Sequence, residues 1–409
     1  MTDRLYYTDP FLHEFDARVL SVTDANGHTA VTLDRSAFYP TSGGQNFDTG
    51  WLQLSGANDS ERLRVQEVLE NEKTGEVLHF LDTGAMHLQA GAGVRGFVDS
   101  GRRRDHMQQH SGQHVLSAAF EKLYKFATVS FHMGEESCTI DLATLKVTDV
   151  QMRAAERLTN EIITEDRPVE IRFATAAEAQ NMGVRKISPT ERDKLRLIDI
   201  RDFDLNACGG THVRSTGQIG ALLLRKTEKV RQGTRVEFVC GMRAIATARR
   251  DFETLTEAAA LFSTNIYEVP AQIRKGQEEN KAAQKSQHRL LEEVAELQAV
   301  RLLQRAEVRH GQQLVVAFLP DRDLVYLKML AQKLTKSGQA IALLACGGPH
   351  PFLVFAQSPG SNHDMGGLIK QLAQPFGIRG GGTRDMAQGT AAEASAVERA
   401  LHEAASAVG

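Results

Sequence analysis

The sequence predicts an α+β protein in four segments, and three observations predict it. Short segments near the N-terminus alternate apolar and polar residues, the period of half-buried strands. A middle stretch interleaves helical and strand patterns. Beyond a charged helical stretch, the C-terminal part carries continuous apolar runs, as strands covered on both faces do.

The first segment, 1–94, reads as strands at 17–23, 29–34, 63–70 and 76–82. Turn signals at Asn26-Gly27 and Thr74-Gly75 separate them. A small β-barrel or sandwich is expected. The segment also holds Pro40-Thr-Ser-Gly-Gly-Gln45, a glycine-bearing loop.

The second segment, 95–248, opens with a helix over His110–Tyr124, where Val115, Leu116, Ala119, Phe120 and Leu123 recur at helical spacing. Strands follow at 136–142 and 169–175. Between them an amphipathic helix over 147–166 places Val150, Ala154, Leu158, Ile162 and Ile163 on one face. A strand at 196–200 leads into a loop at Cys208, and 220–241 reads as a hairpin.

The third segment, 249–310, is helical and strongly charged, with Gly276 as its chief breaker. Leu290, Val294 and Leu297 follow an a/d alternation, with Leu291 and Leu302 nearby. Two readings stay open: an antiparallel helical hairpin, or a coiled coil that spaces domains or forms a homodimer. The fourth segment, 311–409, has strand-like runs at 314–320, 340–346 and 351–357 and helical patterns at 323–338 and 365–377. An alanine- and glutamate-rich tail after Gln388 reads as a terminal helix.

At 409 residues, several domains are expected. With 42% hydrophobic and 24% charged residues the composition is that of a globular protein. No stretch approaches the roughly 20 apolar residues that cross a bilayer, so no membrane partner is expected. The N-terminus lacks a charged-then-apolar leader. Cys138, Cys208, Cys240 and Cys346 are scattered, which fits a reduced, cytoplasmic compartment. The net charge of -3 excludes a global basic field, so any RNA contact must come from local patches.

Two short pieces carry chemistry: His110-Ser-Gly-Gln-His114 and Cys208-Gly-Gly-Thr-His212. On a helix, positions i and i+4 share a face, so His110 and His114 can grip one ion. The glycines after Cys208 let the backbone bring a thiolate and an imidazole together. Three imidazoles and a thiolate make a borderline-soft set suited to one Zn²⁺ per chain. Ser111 stands where the metalloprotease pattern HExxH needs glutamate. Each motif alone is common, and a purely structural reading of either stays open.

Residues 103–120 and 206–224 together resemble the editing domain of alanyl-tRNA synthetase and its free-standing relatives, the AlaX trans-editing proteins. Ala37–Gly50 is similar to the glycine motif of that family, and Phe131–Leu142 continues the likeness. Arg379–Gly389, with its GGGxxDMAQ pattern, resembles the synthetase's C-terminal domain, a DHHA1-like unit. The N-terminus, Met1–Val19, is of editing type, and a large free-standing editor is expected, without a class II aminoacylation domain ahead of it.

The resemblance implies a translation-factor-like barrel, a zinc-dependent editing core at 95–248, and a C-terminal RNA-binding or dimerisation domain. It implies hydrolysis of tRNA(Ala) mischarged with serine, with glycine as a second amino acid. Zinc chemistry suits an ester hydrolysis, although four protein ligands usually describe a closed structural site. Rejecting alanine requires a group that hydrogen-bonds the serine hydroxyl. Thr41 is the candidate, and Gln45 the second. Gly43 and Gly44 would let the backbone approach the substrate. Arg102, Arg103 and Arg104, just before the ligand helix, could track acceptor-stem phosphates. Gly380, Gly381 and Gly382, with Arg384, could present backbone N–H groups to a phosphate. Two other readings stay open. Threonine synthetases carry a related HxxxH…CxxxH editing domain, so another aminoacyl ester is conceivable. A zinc-stabilised RNA-binding module without catalysis is the third.

Overall fold

The computed structural model describes residues 2–25, 28–56, 62–71, 73–82, 88–184, 195–231, 233–336 and 338–408. The expected turn at Asn26-Gly27 lies outside them. The chain is mixed α+β and divides into two compact units, Met1–Glu257 and Ala258–Gly409.

In the first unit, six strands close into a barrel in the order Glu14–Ala25, His28–Leu33, Val77–Leu81, Leu63–Glu70, Gly50–Leu54 and Gly93–Val98. Alternation turns Val31, Leu33, Leu52, Val65, Val68, Val77 and Leu81 into its core. The strands at Gly50–Leu54 and Gly93–Val98, which the sequence patterns do not predict, each begin with a glycine, and Gly96 interrupts the second. The fold explains those glycines. A Cβ on Gly50 would lie 2.0 Å from the Phe97 carbonyl oxygen, and one on Gly96 would lie 2.4 Å from the Phe15 ring.

The barrel leads directly into helix α1, Ser100–Tyr124. Asp99 caps it by accepting from the N–H groups of Gly101 and Arg102, so it begins earlier than the apolar periodicity suggests. It ends at Lys125 in the left-handed conformation. Its apolar face, including Val115, Leu116 and Phe120, packs with Ile140, Val236 and Phe238 in one core. Those residues belong to a four-stranded antiparallel sheet ordered Leu222–Val230, Gly233–Cys240, Cys138–Leu142 and Thr128–Met133. Helix α2, Asp149–Thr164, opens with a capping box between Thr148 and Gln151. A three-stranded sheet, Val169–Ala174, Leu195–Ile200 and Asp204–Ala207, delivers the chain to Cys208.

The second unit is a six-stranded sheet with helices on both faces. One pair of neighbouring strands, Gln312–Phe318 and Ala340–Cys346, is parallel. All of Ala340–Cys346 is buried, as its unbroken apolar run implies. Ile341, Leu343 and Ala345 face the helices Met365–Phe376 and Ala394–Val408. Ala342, Leu344 and Cys346 face Leu324–Lys336 and the end of the long helix Val269–Gln304. On that long helix, Leu291, Ala295, Ala299 and Leu302 turn inward, while Leu290, Val294 and Leu297 stay 53%, 40% and 73% exposed. Among the described residues no helix is long and apolar enough to cross a membrane.

The glycine run departs from its expected form. Arg379–Gly382 is an extended strand paired with Met386–Thr390, and Gly380, Gly381 and Gly382 all lack a positive φ. A nest of converging N–H groups needs alternating handed conformations, so these three do not form one. The glycines allow close backbone approach instead. A Cβ on Gly380 would meet the Gln388 carbonyl oxygen at 2.1 Å, and one on Gly382 that of Met386 at 2.4 Å. Arg384 is exposed and donates to the His363 carbonyl.

Candidate metal centre

Helix periodicity puts His110 and His114 one turn apart on the same face of α1. The Cys208–His212 loop meets that face, and the candidate ligand atoms of His110, His114, Cys208 and His212 all lie within 4.8 Å of one another. The Cys208 sulfur is 3.4 Å from His110 Nε2 and 3.3 Å from His212 Nε2. Gly210 makes this approach feasible, since a Cβ there would lie 2.2 Å from His110 Cε1.

The outward nitrogens of His110 and His212 are within hydrogen-bond distance of side-chain partners, and that of His114 has a carboxylate nearby. His110 Nδ1 donates to Gln45 Oε1 at 2.8 Å, and the same oxygen accepts the Thr211 N–H at 3.0 Å. Gln45 Nε2 donates to Thr211 Oγ1. His212 Nδ1 is 3.1 Å from Ser111 Oγ, which also accepts the Val213 N–H. His114 Nδ1 faces Asp204 at 3.6 Å, an ion-pair separation. Such partners fix ring orientation and leave the other nitrogen for an ion. The donor set and its supports therefore fit zinc. Ser111, noted in the sequence only as a missing glutamate, turns out to support His212.

Electrostatics agree. Burial opposes ionisation of the Cys208 thiol, but the imidazoles of His110 and His212 outweigh it and hold the thiol well below its ordinary range. Burial pushes His212 down to about 3. Burial also disfavours the charged form of His114, but Asp204 and Cys208 raise it to about 9, so an ion bound there must displace its proton. The site thus favours a thiolate, the form that binds metal.

Arg196 secures the loop. It is buried, and its Nη1 donates to the carbonyls of Cys208 and Gly210 at 2.7 and 2.9 Å, its Nε to that of Tyr7 at 2.9 Å.

A cavity of about 600 Å³ opens beside the cluster. His110, His114 and Cys208 line it, together with Tyr39, Ser42, Gly43, Asn206 and Glu121. Thr41, expected at the substrate, is exposed and outside this wall, while its neighbour Ser42 is within it. Gln45, the second candidate, is fully buried and both ends of its amide are engaged as above. It supports His110, and its side chain is absent from the residues that line the cavity. Gly43 and Gly44 both adopt positive φ, and a Cβ on Gly44 would lie 2.5 Å from the Phe131 carbonyl oxygen.

The arginine triplet divides. Arg103 is 0% exposed. It pairs with Asp48 at 2.5 Å and donates to the carbonyls of Pro10 and Ala37, so it is unavailable to RNA. Arg102 is half-buried, donating to the Phe47 carbonyl. Arg104 is exposed.

Comparison with known proteins adds to the geometry. The family described as "Threonyl and Alanyl tRNA synthetase second additional domain" matches residues 195–236, and "tRNA synthetases class II (A)" matches residues 8–102. An alanine-tRNA ligase of Archaeoglobus fulgidus is 34% identical over 95% of this chain and 42% of its own length. The chain thus spans about two fifths of that ligase. The alanyl-tRNA editing protein AlaX-L of Pyrococcus horikoshii is 30% identical over 95% of this chain and 94% of that protein.

Proposed function

The chain belongs to the alanyl-tRNA editing protein family, and from that premise we propose that it is a deacylase that removes serine from mischarged tRNA(Ala). The observation that carries this reading is the placement of three of the four candidate zinc ligands in the wall of a cavity of about 600 Å³. A purely structural site would have no need of such an opening.

The reaction is hydrolysis of the ester between an amino acid and the terminal ribose. A zinc ion held by His110, His114, Cys208 and His212 would supply Lewis acidity for that hydrolysis. The protein's own groups do the positioning. Gln45, Ser111 and Asp204 orient the imidazoles, and Arg196 holds the carbonyls of Cys208 and Gly210.

Discrimination needs a hydrogen-bonding group without another commitment, and among the hydroxyls of the wall most are committed. Thr128 and Ser130 line the cavity but donate to Ser117 and Asp141. Tyr39 donates to the Ser42 carbonyl. We therefore assign the reading of the serine hydroxyl to the Thr41–Ser42 segment, with Ser42 the nearer side chain. Ser42→Ala is expected to narrow the preference for seryl over alanyl ester more than Thr41→Val. An unchanged ratio in both variants overturns the assignment.

Cys208→Ala tests the function itself. Loss of bound zinc and of deacylation, with the circular dichroism of the fold retained, is the expected result. Unfolding on metal loss would favour the structural-module reading.

A further inference from the structure

Asn206 lies on the strand Asp204–Ala207, two residues before the ligand Cys208. Side chains two apart on a strand share a face, and Asp204 on that face meets His114. Asn206 lines the cavity, and its Oδ1 is buried without a hydrogen-bond partner. Buried polar atoms are nearly always paired, so an orphaned acceptor in a cavity wall marks where a ligand brings a donor.

A second observation defines that donor. Glu121 is the one carboxylate in the described wall, which contains no lysine or arginine. It follows His114 by two turns of α1 on the ligand face, and helical side chains lean toward the N-terminus, back toward the cluster. The cavity wall thus offers a neutral acceptor two residues from Cys208 and, about 10 Å along α1 from His114, an anion. That combination recognises a cationic group with several hydrogens.

We propose that Asn206 and Glu121 hold the α-ammonium group of the aminoacyl ester. Asn206 Oδ1 accepts one of its hydrogens and Glu121 supplies the countercharge. The assignment rests on the aminoacyl-ester reading above and deepens it. With the ester carbonyl at the cluster, the α-nitrogen is the next polar atom of the amino acid. Asn206 is within about 7 Å of Cys208 along an extended chain. The serine hydroxyl is a weaker fit, because an anion in the wall adds little for a neutral group. The substrate class that follows is esters with a free amine. Esters of N-blocked amino acids, including peptidyl esters, are poor substrates.

The test compares seryl-tRNA(Ala) with N-acetylseryl-tRNA(Ala) on the zinc-loaded full chain. Wild type should prefer the free amine by about tenfold or more, the scale of a hydrogen bond to a charged group. Asn206→Leu should lose that preference through a raised KM for seryl-tRNA(Ala), with the acetylated ester little changed. Glu121→Gln should weaken it in the same sense. Asn206→Asp, which restores an acceptor and adds charge, should keep it and so controls for misfolding in Asn206→Leu. A preference retained in both Asn206→Leu and Glu121→Gln overturns the assignment. So does equal cleavage of the two esters by wild type. A wild-type protein inert on both esters overturns the deacylase reading, and this assignment with it.

Discussion

The Gln45 amide oxygen lies 2.8 Å from Nδ1 of His110, so a residue of the barrel's glycine loop orients a candidate metal ligand on α1. The same oxygen holds the Thr211 N–H in the Cys208–His212 loop, tying both ligand motifs to one side chain. Outer partners of this kind are typically worth 10–100-fold in metal affinity. Gln45→Leu should therefore weaken zinc binding by about 10–100-fold in a chelator competition. Gln45→Glu, which keeps an acceptor for His110, should lose less. Unchanged affinity in Gln45→Leu would remove the residue from this role.

Gly210 offers a steric test of the same assembly. A Cβ on it would lie 2.2 Å from His110 Cε1 and 3.0 Å from Gln45 Oε1. Gly210→Ala should displace the imidazole and lower zinc content while the barrel persists. Gly43→Ala has open space around its Cβ, though its positive φ brings strain, and should leave zinc content near wild type. Equal zinc content in Gly210→Ala and wild type would contradict the packing described.

Arg103 joins helix α1 to the loop that carries Gln45. Its guanidinium pairs with Asp48, and both side chains are fully buried. Asp48 also accepts the Tyr39 N–H at 2.7 Å. Removing one partner of a buried pair leaves an uncompensated charge, at a cost of about 3–5 kcal/mol. Arg103→Met should lower stability on that scale, whereas Arg104→Ala, at an exposed position, should change it little. Urea denaturation measures both. A stable Arg103→Met variant with weakened tRNA binding would restore the RNA-contact expectation.

The candidate ligand pairs were legible because each is local: two residues four apart on one helix face, or two residues four apart with two glycines between them. The supports were not, since Gln45 and Asp204 come from a barrel loop and a distant strand. Arg103 shows the limit of composition. Three adjacent arginines read as a basic surface, but the fold buries the middle one on Asp48. α1 begins at Ser100 rather than His110 because buried polar residues, Arg103, His106 and Gln109, carry its first turns, where apolar periodicity finds nothing. The Gly380–Gly382 run illustrates the converse. Glycine identity alone does not distinguish an anion nest from close strand pairing.

Acid should loosen the barrel through His79. This residue is buried, with Nδ1 donating to the Val31 carbonyl and Nε2 accepting from Ser36, so it is satisfied as a neutral ring. Burial pushes it down to about 4. The unfolded chain takes up a proton near pH 6.5, which the folded barrel refuses until about pH 4. Its stabilising contribution is thus complete above pH 6.5 and is lost as pH falls through that window. Between pH 7.5 and 5 the loss should be about 2 kcal/mol. Trp51, the single tryptophan, sits on a barrel strand and reports the transition by fluorescence. His79→Gln should flatten the pH dependence. A slope identical to wild type would assign the acid sensitivity to other groups.

The measurement that bears most directly on the central claim is deacylation of seryl-tRNA(Ala) beside alanyl-tRNA(Ala), by native and by metal-stripped protein. The account predicts rapid loss of serine, sparing of alanine, and abolition of turnover on stripping with the fold retained. No hydrolysis of either ester by zinc-loaded protein would contradict it and leave His110, His114, Cys208 and His212 as a structural site.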